Sequence, residues 1–400
     1  MRRGDVPMKI SHLVVAFGSA IASAHALQAA PRVPKDDSAV LETLPSRPTD
    51  PSAAELRRLR GAVAAAPADA RAAARLAGRY FDLAMEEGDP RYVGYAQAVL
   101  RRWPEAAGTP ADILLLHGKL RQYRHDFARA MANFDLALQA DPGNSGAHAW
   151  RAAILMVQAD YGGARRECEL LAAASSELHA VACAAYVEAT TGGARAAYVR
   201  LNAALARDAG SGPAFLLWIQ TRLAEMAWRA GDAAAAERHF RRGLALGVDD
   251  NFLLAAYADF LLEQGRAPEV VPLLGKWTRS DTLLLRLALA AKALNSPEAG
   301  RHARVLAERF ADAARRGEKL HLQEEARYLL DLKGDAKAAL AAAAENYQTQ
   351  REPRDALILI EAALAAREPA AAAPALQWLE SSGFESDRFR RLASQLKAIR

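Results

Sequence analysis

Four hundred residues would ordinarily fold as two or three compact domains, but alanine makes up about a quarter of this chain and aromatics only 7%, material for helices and not for a sheet core. The 52% apolar and 25% charged fractions exclude global disorder. The formal charge of +5 falls to +3 (49 basic, 46 acidic) once Arg2, Arg3, Lys9 and Asp5 are set aside with residues 1–26, and the intermixing of Arg and Glu excludes a nucleic-acid footprint.

Residues 1–12 carry three basic side chains, residues 13–22 form an uncharged apolar run, and Ala22-Ser23-Ala24 and Ala24-His25-Ala26 supply small-x-small sites. That order predicts a secretory signal peptide over residues 1–26, cleavage before Leu27 and a periplasmic destination in a Gram-negative bacterium. The run is short of the roughly 20 apolar residues that span a bilayer, and no later run approaches that length, so no membrane span is expected. Pro31, Pro34, Pro45, Pro48 and Pro51 make residues 27–52 a linker. The folded part is expected over 53–400.

Within it, residues 69–103 read as a divergent first helix hairpin. Residues 111–144 give the clearest unit: Gly118 faces Ala130 across a hairpin, Phe127 and Phe134 fill the space beside them, Ala137 is small again and Pro142 ends the second helix. The same order of small and bulky residues recurs with Ala152, Tyr161, Ala164 and Cys168. It returns with Ala185, Gly192, Ala197 and Ala204, with Ala224, Gly231, Ala236, Phe240 and Gly243, and with Ala258 and Gly265. This pattern resembles the tetratricopeptide repeat (TPR), of a secreted bacterial type, with its best copies over 111–280. The resemblance implies an all-α superhelical solenoid of antiparallel hairpins. Beyond it, 281–321 is irregular, Gly334-Asp335 marks a further turn, 356–379 a late pair, and 387–399 a polar closing helix.

Motifs for chemistry are missing from the sequence. There is no HExxH, no GxGxxG after a strand, no Gly-Lys-Ser/Thr phosphate loop and no Gly-x-Ser-x-Gly. His117 beside Gly118 reads as a repeat-surface residue. The acidic pairs Glu86-Glu87, Asp249-Asp250 and Glu324-Glu325 point apart at helix ends. Catalysis, a metal and a cofactor are therefore not expected, the remote exception being a site in the irregular 281–321 stretch. The TPR resemblance instead implies a concave face whose positions fall on Tyr123, Tyr186, Trp218, Trp228, Arg229 and Phe252, among others. These rings either form an aromatic strip for a peptide or partner helix, or are buried between neighbouring helices. Cys168 and Cys183 lie at equal distances from the turn at Ser175-Ser176, so they either form a disulfide or remain two buried thiols. The expected function is a periplasmic scaffold for a protein or peptide partner. The alternative is an accessory structural component of an envelope polysaccharide or peptidoglycan machine.

Overall fold

A computed structural model describes residues 51–399; the expected signal peptide and all but the last two residues of the expected linker lie outside the described residues. The first helix, α1 (Pro51–Ala65), opens two residues before the expected boundary. Pro51 and Ser52 therefore belong to the fold, since proline is tolerated in a first helical turn, where its missing N–H has no partner to lose.

Helices then pair in sequence. α2 (Ala70–Glu87) packs on α3 (Arg91–Leu100), α4 (Ala111–Tyr123) on α5 (Phe127–Ala140), α6 (Ser145–Val157) on α7 (Tyr161–Ala174) and α8 (Glu177–Thr190) on α9 (Ala194–Arg207). The series continues with α10 (Pro213–Arg229) on α11 (Ala233–Leu244), α12 (Asn251–Glu263) on α13 (Ala267–Leu274) and α14 (Asp281–Ala293) on α15 (Glu298–Arg315). After α16 (Leu322–Tyr328) a π-helical turn, Leu329–Lys333, leads to α17 (Ala336–Thr349) and α18 (Pro353–Ala366). A short 3-10 turn precedes α19 (Ala373–Ser382), and α20 (Asp387–Ala398) closes the series. No strand occurs among the described residues. The fold is an all-α, TPR-like solenoid.

The repeat register is visible in the backbone. His125, Ala159, Gly192, Gly231, Gly265 and Asn295 each turn the chain between two helices of a hairpin with φ between +53° and +86°. Glycine is favoured in that left-handed region, and three of the six positions use it. Asn295 shows that the stretch read as irregular, 281–321, keeps the same turn and forms an ordinary hairpin with a long second helix. Just after several of these turns an aspartate caps the second helix: Asp160 accepts from Gly163 N, Asp232 from Ala235 N and Asp335 from Ala338 N.

The small positions lie where the helices touch. Ala130, Ala164, Ala185, Ala197, Ala224, Ala236 and Ala258 are wholly buried, and Phe134 and Phe240 fill the spaces they leave. At Gly118 the closest approach is to the Phe134 ring, not Ala130: a Cβ there would lie 2.3 Å from Phe134 Cε1. From α1 to α16 the buried clusters succeed one another along the chain, as expected when each hairpin rests mainly on its neighbours, whereas the C-terminal cluster also packs on Ala159 and Tyr161.

Cys168 of α7 and Cys183 of α8 are disulfide-bonded, with Cα atoms 5.5 Å apart. The bond joins two hairpins and closes a separation of 15 residues, for which loop entropy gives a stabilisation of about 3 kcal/mol. Unfolding in denaturant with and without dithiothreitol should therefore differ by about 2–3 kcal/mol. Thiol titration of the unreduced, denatured protein should find no free thiol.

Candidate functional site

The first helix of the α10–α11 hairpin gathers a connected group of charged and aromatic side chains. Trp218, Arg222, Glu225 and Arg229 follow one another at spacings of three and four residues, which aligns them along one side of the helix. Arg222 is the centre of the arrangement and is only 8% exposed. Its guanidinium carbon lies 4.7 Å from the ring centre of Tyr186, 5.5 Å from that of Trp218 and 4.4 Å from that of Phe252. Three aromatic faces thus stabilise one desolvated cation. Arg222 Nη1 also donates to Glu225 Oε2 at 2.8 Å. Burial works against its charge, but Glu225, Tyr186 and Glu352 hold its pKa above the ordinary value.

The expected strip is therefore only partly assembled. Tyr186, Trp218 and Phe252 converge, with Tyr186 edge-on to Trp218 at 6.0 Å. Trp228 instead meets Phe260 edge-on at 5.6 Å and packs on the core of α10–α14. Tyr123 packs against the cluster of α1–α4, where burial raises its hydroxyl pKa. These two rings serve packing against neighbouring helices. Arg229 lies in the groove, its guanidinium 4.4 Å from the ring centre of Phe384.

Phe384 belongs to a segment that the sequence reading did not place here. The end of the chain returns to the inner face of the earlier hairpins. Arg351 N donates to Val157 O at 2.7 Å, and Tyr186 donates to Glu352 Oε1 at 3.3 Å. Trp378 Nε1 donates to the Tyr161 hydroxyl at 2.6 Å, and Ala194 N donates to Glu385 Oε2 at 2.8 Å. Glu352 also accepts from Arg354 Nη2 at 2.8 Å. Burial alone would raise the Glu352 pKa, but Arg354 and Arg222 hold it below the ordinary value. Burial pushes the Tyr161 hydroxyl up to about 12, so it stays protonated. Tyr161 is thus more than the bulky core residue its repeat position suggests.

The acidic positions of α12 are likewise engaged by later helices. Asp259 accepts from Arg286 Nη2 at 2.8 Å and from Arg327 Nη1 at 2.6 Å. Arg388 bridges Glu263 at 3.1 Å and Glu361 at 2.6 Å. Of the acidic pairs, Glu86 pairs with Arg79, Asp250 caps α12, and Glu324 accepts from Thr282 at 3.2 Å. His117 is not a surface residue, since its Nε2 lies 3.2 Å from Trp103 O in the packing between α4 and the preceding loop. Among the described residues no group of three or more His, Cys, Asp and Glu side chains is placed to hold a metal, and no helix is long and apolar enough to cross a membrane. The groove offers guanidinium, aromatic and backbone-amide contacts, the chemistry that holds a polypeptide.

Fold and contacts together define a TPR-like helical solenoid whose own C-terminal segment packs back on earlier hairpins. No protein-family model matches the chain, and no curated protein matches it. Among solved structures the chain is similar to the yeast Tom70 structure, at 12% identity and a TM-score of 0.42, over 86% of this chain and 85% of that one. It is also similar to the TPR domain of P58(IPK), at 14% identity and a TM-score of 0.22, over 87% and 93% of the two chains. A third similarity is to the APC/C hetero-tetramer Cut9-Hcn1, at 12% identity and a TM-score of 0.31 over 86% of this chain, which spans about half (52%) of that one.

Proposed function

We propose that the chain is a non-catalytic scaffold that binds a protein partner along its solenoid and works in the periplasm of a Gram-negative bacterium. The observation that carries the binding reading is that Tyr186, Arg229 and the Ala194 amide already hold a stretch of this chain's own C-terminal part. Aromatic and arginine side chains are the types that dominate protein interfaces. Export is supported by the basic, apolar, small-residue order of residues 1–26. The Cys168–Cys183 disulfide suits an oxidising compartment.

Affinity capture of the full chain from the periplasm, followed by mass spectrometry, tests the first part. The expected result is one stoichiometric protein whose recovery falls at least tenfold with Arg222→Ala while the helical circular dichroism is kept. Retention of glycan without protein would overturn the reading. N-terminal sequencing of protein released by osmotic shock should start near Leu27, and intact Met1 in the membrane pellet would overturn export.

A further inference from the structure

The turn between α19 and α20, Gly383-Phe384-Glu385, sits in a recess formed by the turn before α9 and by Arg229 of α10. Three contacts of different kinds define it. The Gly383 carbonyl approaches Gly192 so closely that a Cβ there would lie 3.2 Å from the oxygen. Phe384 lies under the Arg229 guanidinium, 4.4 Å from ring centre to carbon, and its ring also packs on Trp378 at 5.3 Å and on Phe389 at 5.4 Å in the C-terminal cluster. Glu385 accepts from the Ala194 amide, the first residue of α9, at 2.8 Å. A carboxylate is favoured there, because the first amides of a helix have no partners within it. This is recognition of a short aromatic–acidic turn, and its two halves lie 191 residues apart in sequence.

The match is incomplete. Arg229 Nη1 and Arg222 Nε are buried with no hydrogen-bond partner. Buried guanidinium N–H groups are nearly always satisfied, so Arg229 leaves the recess a donor that its present occupant does not use. Burial lowers the Arg229 pKa, and the nearby Glu225 and Glu385 only partly offset it. An occupant with a further carboxylate would engage this donor.

We infer that Gly383–Glu385 is an internal ligand of this recess, and that a protein partner takes its place by presenting an aromatic residue followed by carboxylates. The inference deepens the scaffold reading and rests on it. The partner's acidic side chains would pair with Arg229, and its aromatic ring would replace Phe384. The covered recess then makes binding conditional on release of the chain's own turn.

The test uses the full chain and a fluorescein-labelled peptide spanning residues 379–389. Phe384→Ala combined with Glu385→Gln empties the recess, and this variant should bind the peptide at least tenfold more tightly than the unaltered chain does. Adding Arg229→Ala should abolish the gain, and a peptide carrying the same two replacements should not bind. Equal binding with and without Arg229, or no binding to a folded double variant, would overturn the inference. Hydrogen exchange on the unaltered chain gives an answer even if the variants do not fold. Amides of residues 383–385 and 194 should exchange together and ahead of those in α8, whereas exchange as slow as α8 would overturn it. A protein partner captured equally by the chain with and without Arg229→Ala would overturn this site and leave the scaffold reading standing.

Discussion

Asp259→Ala should be among the most destabilising single replacements in the chain, costing about 3–5 kcal/mol in denaturant unfolding, because it strips the shared carboxylate from two guanidiniums. Arg286 is only 4% exposed and Arg327 is half-buried, so neither recovers full hydration when Asp259 is lost. Burial alone would raise the Asp259 pKa, but Arg286 and Arg327 hold it below its ordinary 3.8. A lowered carboxyl pKa contributes stability that is present above 3.8 and lost as pH falls through the folded-state value. The gap between parent and variant should therefore close in acid. Replacing Asp259, Arg286 and Arg327 together by apolar residues of similar volume should recover part of the loss, because these three charges disappear together while Glu324 and Asp331 each lose a cation.

At Gly118 the expected effect comes from shape. The first atom of any side chain there would enter the ring of Phe134, which is itself wholly buried, so Gly118→Val should cost about 1–3 kcal/mol or more. Gly61 in α1 has nothing within 4 Å of its missing Cβ. There alanine should raise stability by about 0.5–1 kcal/mol through helix propensity alone. Thermal or denaturant unfolding of Gly61→Ala and Gly118→Ala should thus give opposite signs. Equal tolerance at both positions would count against the close helix approach.

The parts of the fold that were legible in the sequence are those written locally. Small residues at helix contacts, bulky ones beside them and a left-handed turn between them recur within about 34 residues, so Gly118, Ala152, Ala185, Ala224 and Ala258 could all be placed in register. Tyr186, Trp218 and Phe252 were legible for the same reason. Arg222 was missed because the TPR resemblance assigns no groove role to its position, and only the neighbouring hairpins reveal that three rings surround it. The return of residues 351–388 to the earlier hairpins had no signal to read. Tyr186 and Glu352 are 166 positions apart, and no periodicity links them. The π-helical turn at Leu329–Lys333 was hidden as well, since its residues suit an ordinary helix.

The covalent bond between α7 and α8 has a mechanical consequence. A stacked array under tension peels hairpin by hairpin, each adding its full contour to the extension. Here the chain between Cys168 and Cys183 cannot pay out, so a molecule stretched from its two ends would come up short by about 15 residues, roughly 50 Å at 3.3–3.6 Å each. A load would pass from α7 to α8 through sulfur, while the loop between them carried none.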